Sequence, residues 1–67
     1  MRAGDVVIIA AFDDIPEHLF WVHEVFEDCV SGYSVTGPLA GEYGEPDFSM
    51  ILRVVAHTED GQGTPQT

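Results

Sequence analysis

The chain has 67 residues, with twelve Asp and Glu against two arginines and no lysine, for a formal net charge of −10. Phosphate neutralisation needs clustered Lys and Arg, so Arg2 and Arg53 alone argue against direct binding to DNA, RNA or an anionic membrane surface. A chain this short buries only about 60% of its unfolded surface, and the single Cys29 permits neither an intrachain disulfide nor a multi-cysteine zinc site.

The extra stability that such small domains need is therefore expected from a second copy of the chain, as a homodimer. An apolar share of 45% fits a folded domain rather than a wholly disordered one. The apolar run Val6 to Phe12 is far short of the roughly 18 residues of a membrane span. It is interrupted before by Asp5 and followed by Asp13-Asp14 with no small-residue cleavage pattern, so a cytoplasmic location is the expectation.

Val6-Val7-Ile8-Ile9-Ala10-Ala11-Phe12 is β-branched and too short for a buried helix, which predicts a first strand covered on both faces. Asp13-Asp14-Ile15-Pro16-Glu17-His18 follows as a loop. The stretch from Ile15 to Phe26 has two readings. As a helix it has Asp14 as N-cap, Glu17 as capping-box partner, and Ile15, Leu19, Val22 and Phe26 on one stripe. As a strand it sets Trp21, His23 and Val25 on one side and Phe20, Val22, Glu24 and Phe26 on the other. The strand is preferred, because Cys29 to Thr36 then forms an antiparallel partner through a tight turn at Glu27-Asp28, with Ser31-Gly32 as the competing turn.

Gly37 to Pro46 packs three glycines and two prolines into ten residues, which predicts the main loop, without regular structure through its middle. Phe48, Met50, Leu52 and Val54 alternate with Ser49, Ile51, Arg53 and Val55, the strongest period-2 signal in the chain and the expected last long strand. Residues 1–57 are thus expected to form one domain. From Thr58 to Thr67 there is no large apolar side chain, and a disordered polar tail is expected.

Four to five short strands with one long loop predict a mostly β fold, a small partly open antiparallel barrel. Gly4-Asp5-Val6-Val7 resembles the opening of SH3-like small barrels, in which the glycine makes the entry turn, and the resemblance extends over residues 4–57. The segment Trp21 to Pro46, ending Thr-Gly-Pro-Leu-Ala-Gly-Glu-Tyr-Gly-Glu-Pro, is similar to small acidic bacterial proteins for which no activity is established. The resemblance implies a fold and no chemistry. SH3-like barrels often bind peptides or nucleic acids, and the charge of this chain departs from the nucleic-acid readers.

His18, His23, Cys29 and His57 are possible metal ligands, but their spacing fits no closed zinc site, and scattered surface histidines are expected instead. Cys29 six residues after His23 is the sole cue to a nucleophile, and a lone cysteine usually serves as a small hydrophobe. The Gly37–Pro46 loop lacks the Lys and Ser/Thr of a phosphate cradle, and Glu42 and Glu45 would repel phosphate. Its candidate role is recognition: Tyr43 flanked by glycines and acids suits a basic or proline-containing peptide, unless Tyr43 and Leu39 fold back over the barrel end. Trp21, Tyr33, Phe20 and Phe48 are expected mostly in the core, with surplus apolar surface hidden in a homodimer.

The expected protein is a non-enzymatic, cofactor-free interaction module. Its candidate surface comprises Trp21, Tyr33, Leu39, Glu42, Tyr43 and Glu45, facing a basic protein or peptide or a second copy. The alternative is an acidic nucleic-acid mimic that uses Asp13, Asp14, Glu24, Glu27, Asp28, Glu42 and Glu45 against a basic protein. A small metal-dependent or hydrolytic enzyme is the third class, with no convergent residue set to support it.

Overall fold

The computed structural model describes residues 1–58; residues 59–67, most of the expected tail, lie outside the described residues. Five strands form one open antiparallel sheet in the order β4-β3-β2-β1-β5. They are β1 (Asp5–Ile9), β2 (His18–Val25), β3 (Val30–Ser34), β4 (Tyr43–Gly44) and β5 (Ile51–His57), with a single 3-10 turn at Phe48–Met50 before β5.

Residues 18–25 are strand, not helix, and the β2–β3 hairpin turns at the expected place. Phe26 N–H donates to the Cys29 carbonyl at 2.8 Å, and Val25 pairs with Val30. The helical stripe loses because it would strand the β-branched and aromatic residues of β2 away from β1 and β3. In the sheet, Phe20 and Val22 share a face with Val7 and Val30 and close the core. A register shift at His23 then reverses the alternation, so Val25 joins the core face, which simple period-2 reading had assigned to Glu24.

Three boundaries move. The first strand stops at Ile9 rather than Phe12, because Phe12 and Ile15 exchange backbone hydrogen bonds of 2.9 and 2.7 Å around a two-residue turn. Asp13 takes a left-handed φ of 48° there, a conformation Asp tolerates. The loop from Gly37 to Pro46 contains the short strand β4, since Tyr43 and Gly44 pair with Tyr33 and Gly32. The expected long strand from Phe48 begins only at Ile51. Met50 N–H bonds back to Asp47 O at 2.9 Å, winding Phe48–Met50 into the 3-10 turn.

The core is small: Val7, Ile9, Phe20, Val22 and Val30, with Val25, Met50 and Ile51 packed against it. All of it lies on one face of the sheet. Of the four aromatic residues expected mostly inside, Phe20 alone is buried; Trp21 is half-buried, and Tyr33 and Phe48 are exposed. Strand parity explains this, because Trp21 pairs with Val6 and Tyr33 pairs with Trp21, on the face opposite Phe20.

Two glycines shape the slot that admits the Phe20 ring. Gly32 and Gly44 face each other in register, and a Cβ on them would lie 3.0 and 3.7 Å from Phe20 Cε2 and Cε1. A Cβ on Gly32 would also collide with the Trp21 carbonyl oxygen, so this position admits glycine alone.

Among the described residues β5 is an edge strand joined to the sheet through β1, and two register shifts break its alternation, between Val6 and Val7 and between Ile8 and Ile9. Leu52, Val54 and Val55 remain exposed, the surplus apolar surface anticipated from composition. At the end of β5, Thr58 is tied to the domain: its N–H and its hydroxyl both reach Gly4 O, at 2.7 and 3.0 Å.

Candidate functional site

The six candidate residues form two groups that meet at Tyr43 and Glu45. On the outer face, β2, β3 and β4 carry Trp21, Tyr33 and Tyr43 in adjacent register positions. Their rings form a continuous ribbon. Trp21 stacks on Tyr33 at 6.5 Å between centroids, Tyr33 meets Tyr43 edge-on at 5.7 Å, and His23 adds a ring 5.8 Å from Trp21.

Each end of the ribbon is held by a hydrogen bond. The Trp21 indole Nε1–H donates to Thr58 Oγ1 at 3.0 Å, and that hydroxyl in turn donates to Gly4 O. The Tyr43 hydroxyl donates to Glu45 at 2.7 Å, and this carboxylate holds the phenol above its ordinary range. Tyr33 and Tyr43 nevertheless keep 43% and 56% of their surface open, so the ribbon is ordered without being covered.

Leu39 and Glu42 lie elsewhere. With Ile9, Phe12, His18, Phe20 and Met50 they line a cleft of about 300 Å³ on the core face, which Tyr43 and Glu45 line as well. The cleft exists because the sheet stays open. The loop after β3 turns through Gly37 and Gly41, both at positive φ, and this brings Leu39 over the core without sealing it.

His18 was read from sequence as a scattered surface histidine, yet it is only 6% exposed. It pairs with Ile9 across β1–β2, which turns its ring to the core face. Its Nδ1 lies 2.9 Å from the Pro16 carbonyl, so that nitrogen carries the proton and donates. The available signal was its position at the start of a strand, two residues before Phe20.

Cys29 is half-buried. Burial pushes its thiol up, and Asp28, Glu45 and Asp47 reinforce the effect, an environment opposite to that of an activated nucleophile. Among the described residues, no three His, Cys, Asp or Glu side chains converge as a metal site. No helix among them is long and apolar enough to cross a membrane. No protein-family model, curated protein or solved structure matches the chain.

Proposed function

We propose that this protein is a non-enzymatic, acidic interaction module of the SH3-like barrel type, which grips a basic segment of another protein on its outer aromatic ribbon. The ribbon carries the proposal: three aromatic rings in successive contact, two of them exposed, cost a small domain apolar surface that its core needed. Arg and Lys side chains stack favourably on such rings, and the net charge of −10 draws basic segments toward them. The SH3-like assignment is supported by the sheet order β4-β3-β2-β1-β5, the pairing of first and last strands, and the 3-10 turn before β5.

The module acts as a homodimer joined through β5, whose edge, unpaired among the described residues, and exposed Leu52, Val54 and Val55 offer a self-complementary strip. Sedimentation of the wild type as a dimer, and of Leu52→Lys as a monomer, is the expected result; a wild-type monomer at high micromolar concentration would exclude the arrangement.

Titration with a short peptide of alternating Arg and Pro, followed by Trp21 fluorescence and by amide shifts, tests the ribbon. Binding is expected to weaken about tenfold in Tyr33→Ala or Tyr43→Ala, in line with the loss of one well-placed aromatic contact. Affinity unchanged by both substitutions, yet falling steeply with salt, would favour the acidic mimic, for which Asp13, Asp14, Glu24, Glu27, Asp28, Glu42 and Glu45 are all exposed.

A further inference from the structure

We infer that the cleft on the core face is a binding site for a small organic cation with an apolar body, such as an aryl amidine or arylalkyl amine. It adjoins the outer ribbon at Tyr43 and Glu45, which line both, while Ile9, His18, Phe20 and Leu39 belong to the cleft and not to the ribbon.

The cleft holds roughly ten water-sized groups, enough for one ring and a short polar head. Ile9, Phe12, Phe20, Leu39 and Met50 make its walls apolar, so an uncharged hydrocarbon body loses nothing on entering. Two buried polar residues, His18 and Ser34, interrupt those walls. The His18 ring is packed 6.3 Å from Phe12, also a wall residue, and its Nδ1 is committed to Pro16 O. Nε2 has no hydrogen-bond partner among the described residues, and none of their side-chain polar atoms is sealed from solvent without one. With the proton of the neutral ring on Nδ1, Nε2 is open to solvent and can accept a hydrogen bond from a ligand N–H.

A metal ion is a poor answer to that acceptor, because no second and third ligand converge with it among the described residues. An N–H group is a good one. The charge of the donor follows from Glu42 and Glu45, which both line the cleft in a chain without a single lysine. A carboxylate ligand would meet two repelling charges and an acceptor nitrogen. An amidinium or ammonium meets complementary groups at both places.

Benzamidine is the probe, with benzoate and benzyl alcohol as isosteric anionic and neutral controls, read by NMR shifts of the His18 ring and the Leu39 and Met50 methyl groups. Saturable shifts with benzamidine, and binding about fivefold weaker in the double variant Glu42→Gln, Glu45→Gln, are expected. His18→Phe should abolish the effect. Should that variant fail to fold, the double variant still decides, since both glutamates are exposed. The site would be overturned by benzoate or benzyl alcohol binding as tightly as benzamidine, by shifts confined to Trp21 and Tyr33, or by an unchanged affinity in the double variant.

Discussion

Asp5 and His57 stand directly opposite each other where the first and last strands meet, with His57 Nδ1 2.8 Å from Asp5 Oδ1. The carboxylate is nearly buried and takes a second hydrogen bond, from Arg2 N–H at 2.9 Å. Burial alone would raise its pKa, but the Arg2 N–H and the His57 ring outweigh it and hold Asp5 below its ordinary 3.8.

A group with a depressed folded-state pKa contributes stability above its unfolded value and loses it as pH falls through the folded one. The unfolded chain binds the proton first on acidification. Asp5→Asn is therefore expected to lower the thermal midpoint most near pH 5, by an amount corresponding to about 1–3 kcal/mol. The deficit should shrink below 3.8. Melting curves of both proteins from pH 2.5 to 7 check this; a deficit independent of pH would show that the charge of Asp5 is irrelevant to the seam.

Gly32 and Gly44 occupy paired positions yet should respond differently to the same change. Gly32→Ala drives a methyl into the Trp21 carbonyl and is expected to cost about 3 kcal/mol, a large share of the stability of a domain this size. At Gly44 the nearest atom is 3.7 Å from the new methyl, ordinary contact, so Gly44→Ala should cost less than about 1 kcal/mol. Urea midpoints of the two variants decide it, and equal losses would refute the slot described for Phe20.

Cys29 should react slowly. With its thiol raised by burial and three neighbouring carboxylates, alkylation by iodoacetamide at pH 7.5 is expected to be several-fold slower than that of free cysteine and to accelerate steadily toward pH 10. A rate above that of free cysteine at neutral pH would return Cys29 to consideration as a nucleophile.

Added salt should stabilise the fold. Twelve carboxylates face two arginines, and raising ionic strength from about 10 to 150 mM shortens the screening length from roughly 30 to 8 Å, relieving that repulsion. The thermal midpoint is expected to climb across this range. A falling midpoint would mean that a few ion pairs, Asp5 with His57 foremost, outweigh the net charge.

Much of the architecture was legible in the chain itself. β-branched and aromatic content made strands of Val6–Ile9 and His18–Val25, and Glu27-Asp28 between two apolar runs set the hairpin, because these are local preferences. The acidity, the lone cysteine and the excess of apolar residues over core space are likewise properties of composition. What the tertiary structure alone decided is which face each side chain serves. A bulge at His23 and two shifts along β5 reset the period-2 alternation, and no local signal marks them. Register between successive strands then aligned Trp21, Tyr33 and Tyr43 as one ribbon and turned His18 inward to a cleft with Leu39 and Glu42, dividing residues that the sequence had grouped as one surface.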